Sequence, residues 1–143
     1  MGGNMIEIKI HGVVIEIEQG EFVVIHGLAK AGKTSILRDL NRKYPETCFI
    51  IRWDIPNPRK SMDVLRALTE PYDVYLLDEP TGHELDREDR MEILSLSKKL
   101  NDQGKTIIMT THDHAAIELG TRIFEIKEDK TFIDHGPGLH HTL

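Results

Sequence analysis

One cysteine and one tryptophan stand among 143 residues, and aromatic side chains make up only 6% of the chain. The lone thiol, Cys48, excludes an intramolecular disulfide, and its neighbours Phe49, Ile50 and Ile51 point to a buried strand position rather than a reactive one. Long apolar runs are missing too. None exceeds about four residues, as at 22–25 and 48–51, against the ~20 that a membrane helix needs, so no membrane insertion is expected. The opening Met1-Gly2-Gly3-Asn4-Met5-Ile6 has no apolar signal core, and Ile6 stands where a myristoylation motif wants Ser or Thr, which leaves a cytoplasmic location as the expectation. Basic charge is in deficit: 18 Lys and Arg face 24 Asp and Glu, a formal net charge of −6. Such a field repels a phosphate backbone, and nucleic acid is not an evident partner. With 39% hydrophobic and 29% charged residues the composition excludes wholesale disorder. The length excludes two independent cores, so one domain over 1–143 is expected.

What is present reads as alternating strands and helices. Ile6-Glu7-Ile8-Lys9-Ile10, then His11-Gly12, then Val13-Val14-Ile15-Glu16-Ile17-Glu18 alternates apolar and polar residues about a tight turn, a β-hairpin pattern. Phe22-Val23-Val24-Ile25 is continuously apolar, as in a strand buried on both faces. Ile36, Leu37 and Leu40 then recur at helical spacing, and residues 48–53 return to strand character. Met62, Leu65 and Leu68 mark a short helix after the turn Pro56-Asn57-Pro58, and residues 74–77 a further strand. A helix is predicted from about 86 to 100, stopped near Gly104. A strand at 106–111, a short helix at about 115–119 and a last hairpin over 122–126 and 131–134 complete the chain. The fold class that follows is α/β: a mostly parallel sheet flanked by helices, with β-hairpins at both ends.

Two motifs carry chemistry. Gly27-Leu28-Ala29-Lys30-Ala31-Gly32-Lys33-Thr34, followed by Ser35, matches G-x-x-x-x-G-K-[ST] between a predicted buried strand and a predicted helix, the setting of a phosphate-binding P-loop. A loop that runs into a helix N-terminus aims its N–H groups at phosphate oxygens. The Lys33 ammonium can reach the β and γ phosphates, and the Thr34 hydroxyl can ligate Mg²⁺. The second motif, Val74-Tyr75-Leu76-Leu77-Asp78-Glu79, is an apolar strand that ends in two carboxylates, 45 residues beyond Lys33. In a P-loop nucleotide site Asp78 would hold Mg²⁺ and Glu79 would orient and activate the attacking water. The cofactors expected are ATP and Mg²⁺.

The run Leu77-Asp78-Glu79-Pro80-Thr81-Gly82-His83-Glu84-Leu85-Asp86 resembles the Walker B and D-loop stretch of ABC-type ATPases, and Thr110-Thr111-His112-Asp113 resembles their switch-histidine loop. The approach to the P-loop over 15–25 and the closing hairpin over 122–136 are similar to that family as well, so the resemblance covers nearly the whole chain. It implies a P-loop NTPase core in which His112 contacts the γ-phosphate or the attacking water and Asp86 contacts a neighbouring subunit. Glu79, His112 and Lys33 are then the candidate catalytic residues, and Gly27 to Ser35 the nucleotide cradle. Thr34 and Asp78 are the candidate Mg²⁺ ligands. His114 is read as a surface residue.

The departures from that family are equally specific. Its helical subdomain carries an L-S-G-G-Q signature that closes on ATP bound to the other subunit, whereas here no glycine occurs between Lys33 and Thr81. Leu94-Ser95-Leu96-Ser97 follows the acidic strand end, lacks glycine and reads as helix. The Q-loop glutamine is absent, with Arg52-Trp53-Asp54 at the corresponding strand end, and the hairpin offers no clear adenine-stacking aromatic, leaving His11 and Tyr44 as weak candidates. Two functions follow: a minimal ABC-type ATPase that turns over slowly, or a nucleotide-gated interaction module whose site a homo-oligomer or another protein partner completes. The missing subdomain, by which family members engage membrane partners, disfavours transport.

Overall fold

The computed structural model describes residues 5–10, 12–27, 33–44, 48–51, 72–80, 86–111, 114–127 and 131–136; for Met5, Ile10, Lys33, Thr34, Cys48–Ile51, Phe132 and Gly136 the description covers the backbone. Strands β1 (Met5–Ile10) and β2 (Val13–Glu18) pair antiparallel as a two-stranded sheet of their own, with Ile6 opposite Ile17 and Ile8 opposite Ile15. The alternation seen in the sequence sets which face is buried: Ile6, Ile8 and Ile17 are in the core while Val13 and Val14 at the hairpin tip are exposed.

Six strands make the main sheet: β3 (Phe22–Gly27), β4 (Cys48–Ile51), β5 (Val74–Asp78), β6 (Thr106–Thr110), β7 (Arg122–Ile126) and β8 (Phe132–Gly136). Their order is β4-β5-β6-β3-β7-β8, parallel throughout except for the antiparallel β7–β8 edge. The closing hairpin is therefore part of the main sheet, and the opening hairpin is not. β3, β5 and β6 sit in the interior of the sheet and read as unbroken apolar runs because helices cover both faces.

One face of the sheet, through Val23, Ile25, Leu76, Ile108 and Phe124, packs with Ile36, Leu37 and Leu40 of α1 (Lys33–Lys43) and with the hairpin residues Ile6, Ile8 and Ile17. The other face, through Phe22, Val24, Tyr75, Leu77, Ile107 and Met109, packs with Ile93, Leu94 and Leu100 of α2 (Arg87–Asp102) and with Ala116 and Ile117 of α3 (His114–Leu119). Asp86 caps α2, its carboxylate accepting from the Asp89 N–H at 2.8 Å. Leu94 to Ser97 are helical, as expected, and Ser97 donates back to the Ile93 carbonyl. The predicted elements over 52–71 lie outside the described residues.

This topology creates a switch point. The chain leaves β3 through α1 on one face and leaves the adjacent β6 through α3 on the other, so the two connections diverge at the carboxyl ends of neighbouring parallel strands. A crevice opens at such a place, and ligands of open α/β sheets bind there.

Candidate nucleotide site

β3 ends at Gly27 and α1 begins at Lys33, so Leu28, Ala29, Lys30, Ala31 and Gly32 bridge a strand end and a helix N-terminus. Those five residues lie outside the described set, while Ser35 is exposed in the first turn of α1. No acidic residue occurs in that turn, and Arg42 and Lys43 stand in the last one. The positive end of the helix dipole thus faces the loop without a competing carboxylate of its own, the arrangement that favours a bound anion. Gly27 is obligatory at the strand end. Its φ is 149°, and a Cβ there would sit 2.3 Å from the Ile126 carbonyl oxygen. Only glycine lets β3 approach β7 so closely before the loop begins.

The acidic pair is built from β5 and β6. Asp78 is the last residue of β5, opposite Thr110 at the end of β6, and Thr110 in turn lies opposite Ile25 of β3. The buried Asp78 carboxylate accepts a hydrogen bond from the Thr110 hydroxyl at 2.6 Å, a short, charge-assisted contact. The Glu79 N–H donates to the same hydroxyl oxygen at 3.2 Å and to the Thr110 carbonyl at 2.9 Å. Glu79 has φ 50°, the one positive value among the described non-glycine residues. A left-handed conformation costs a non-glycine residue about 1–2 kcal/mol. It turns the chain sharply, so that Asp78, still within the sheet, and Glu79, beyond it, do not share a direction.

β6 is the single strand between β3 and β5, so about two interstrand spacings, ~10 Å, separate the strand that feeds the loop from the one that ends in Asp78. That span accommodates a phosphate chain with its cation. Thr111, buried, donates its N–H to the Ile25 carbonyl at 3.0 Å, which extends the β6–β3 ladder by one residue. His112 and Asp54 lie outside the described residues, as do the side chains of Lys33 and Thr34. The structure thus brings the end of β3 at Gly27 and the pair Asp78 and Glu79 to one edge of the sheet. It also adds Thr110, whose hydroxyl bridges the acidic pair.

Other sequence candidates fall elsewhere. Tyr44 follows the C-terminal end of α1, some 15 Å along the helix axis from Lys33, and its hydroxyl accepts from the Glu7 N–H at 3.2 Å while its ring packs on the core. It is not placed to stack on a base held at the loop; the weak alternative, His11, lies outside the described residues. His114 is exposed, as expected. On the far flank of Gly27, a hydrogen bond from His135 holds the Glu125 carboxyl below the ordinary carboxylate range.

Known proteins share this fold. Solved structures similar to it include a dimeric post-hydrolysis state of the ATP-binding cassette MJ0796 bound to ADP and Pi, with TM-score 0.62 and 17% identity over 94% of this chain and 97% of that one. Another is CbiO1 from Clostridium perfringens, part of the ABC transporter complex CbiONQ, with TM-score 0.66 and 16% identity over 94% of this chain and 89% of that one. The fold is that of the ATP-binding cassettes. Among curated relatives, the macrolide export ATP-binding/permease protein MacB of Bartonella henselae is 38% identical over 77 residues, 54% of this chain. A MacB protein of Yersinia pestis is 36% identical over 78 residues. The chain spans about 12% of the length of these curated relatives. No protein-family model matches it. Among the described residues no helix is long and apolar enough to cross a membrane.

Proposed function

We propose that this ABC-type ATPase-like chain binds Mg·ATP at the carboxyl edge of β3, β6 and β5 and hydrolyses it slowly. The observation that carries the reading is the cross-sheet row Asp78–Thr110–Ile25, with Glu79 turned out of it by its own left-handed conformation, and with a glycine-to-lysine loop that starts two residues beyond Ile25 and leads into the N-terminus of α1. In this reading Lys33 and the loop N–H groups balance the β and γ phosphates, and Thr34 and Asp78 hold the cation. Mg²⁺ would supply charge neutralisation between the phosphates. Glu79 takes the proton of the attacking water, with His112 near the γ-phosphate. Asp78 is suited to an ion because Thr110 fixes its carboxylate at the strand end.

The absence of any glycine between Lys33 and Thr81 favours slow turnover, because no segment there offers paired glycines that would let backbone N–H groups of a second subunit approach the γ-phosphate. It equally favours a second reading, a nucleotide-gated interaction module whose protein partner supplies that contact. Single-turnover hydrolysis by wild type and Glu79→Gln tests the assignment. Glu79→Gln is expected to keep nucleotide affinity and to lose ~10²–10⁴ in rate, the usual worth of a general base. Hydrolysis at the wild-type rate with Mg·ATP binding intact would remove Glu79 from the role. Undetectable hydrolysis by the wild type, restored by a cell extract, would select the second reading.

A further inference from the structure

Beside the loop, on the β7–β8 side of the sheet, three side chains that the nucleotide site does not use converge. We propose that His26, Glu125 and His135 form a binding site for a divalent transition ion of the zinc type. His26 and Glu125 are directly opposite in the parallel pairing of β3 with β7, so their side chains leave the same face of the sheet. His135 comes from β8, where the ladder slips between Ile123 and Phe124: Gly136 faces Ile123, Asp134 faces Phe124, and His135 is the inserted residue. A bulge of this kind re-aims a side chain, and such features collect next to functional sites.

The geometry suits a three-ligand centre. One donor atom from each residue lies within 4.8 Å of the others. His135 Nε2 is already 2.9 Å from Glu125 Oε1, and the imidazoles of His26 and His135 stack with centroids 6.1 Å apart and planes 25° apart. Ligands about 2.1 Å from a tetrahedral ion sit ~3.4 Å from each other. A shift of one or two ångströms in His26 would therefore close the set, while the other pair is already at ligand spacing. Lys127 Nζ lies 3.9 Å from Oε2, the other oxygen of the Glu125 carboxylate, which leaves Oε1 as the ligand atom. Two imidazoles and one carboxylate match a borderline cation and not Mg²⁺, which prefers oxygen donors. Three protein ligands leave a fourth position for water.

The three residues stand on strands, with His26 adjoining Gly27 and Glu125 adjoining Ile126, whose carbonyl packs against Gly27. The proposal does not rest on nucleotide binding, and its test uses no nucleotide. Calorimetric titration of the full chain with ZnCl₂ is compared with His26→Gln, Glu125→Gln, His135→Gln and the control double variant His140→Ala/His141→Ala. The expected result is one equivalent of Zn²⁺ per chain, bound at least tenfold more weakly by each of the three site variants and unchanged in the control. X-ray absorption of the zinc-loaded chain should show nitrogen and oxygen neighbours and no sulfur. Thermal unfolding provides the second readout: Zn²⁺ should raise the midpoint of the wild type and not that of His135→Gln, whose exposed side chain makes it the variant most certain to fold. Equal zinc affinity in wild type and His135→Gln, or loss of binding only in the His140/His141 control, would overturn the site.

Discussion

The hydroxyl of Thr110 serves two groups at once, donating to the buried Asp78 carboxylate and accepting from the N–H of the strained Glu79. Valine has nearly the same shape and no hydroxyl, so Thr110→Val would leave a buried carboxylate short of a donor. Loss of a hydrogen bond to a buried charged group costs about 1–3 kcal/mol. Urea unfolding should show a fall of that size for Thr110→Val and little change for Thr110→Ser, which keeps the hydroxyl; an unchanged midpoint in Thr110→Val would deny the bridge its role. Asp78 and Glu79 were legible in the sequence because two adjacent acids closing an apolar strand, downstream of a glycine-rich loop with its lysine, form a local pattern with a direct chemical meaning. The bridge by Thr110 was not. It depends on the register of two strands 32 residues apart, which no local pattern specifies. Nor could the left-handed φ of Glu79 be read, since glutamate carries no signal for that conformation.

At the scale of elements, the opening hairpin is held by the side chains it turns inward. Ile17 is fully buried against α1 and the sheet, whereas Val14 is 56% exposed at the tip. Ile17→Ala is accordingly expected to lower unfolding free energy by about 2–5 kcal/mol, and Val14→Thr to change it by less than about 0.5 kcal/mol, both measured by chemical denaturation. Comparable effects at the two positions would mean that the hairpin does not pack as described. The alternation of residues 6–18 announced these strands and their buried face. The separate destinations of the two hairpins were harder to read, because local periodicity names a strand's faces and not its neighbours. A signal did exist: β7 buries Ile123 on one face and Phe124 and Ile126 on the other, which requires helices or sheet on both sides, while β2 buries one face only. The end of α2 near Gly104 followed from ordinary local chemistry, whereas the family resemblance gave Asp86 a contact to a neighbouring subunit and not the cap it forms.

Over the whole molecule, strand order brings separate sequence motifs to one edge of the sheet. Gly27, Asp78 and Thr110 are far apart in the chain, and they reach one edge because β6 inserts between β3 and β5 with all three carboxyl ends on the same side. The alternation of strands and helices made the α/β class legible, and the loop motif marked the end of β3 at Gly27. The order of the strands, and hence the switch point beside β3, came only with the packing of α1 on one face and α2 and α3 on the other. The central claim is that this edge holds a nucleoside triphosphate through the loop that ends at Lys33. Calorimetric titration of Mg·ATP into the wild type and into Lys33→Ala, each first shown to unfold at the same temperature, tests it most directly. Removal of the ammonium leaves the β and γ charges uncompensated, so the account predicts one-to-one binding by the wild type and no measurable binding by Lys33→Ala; equal affinity in the two proteins would contradict it.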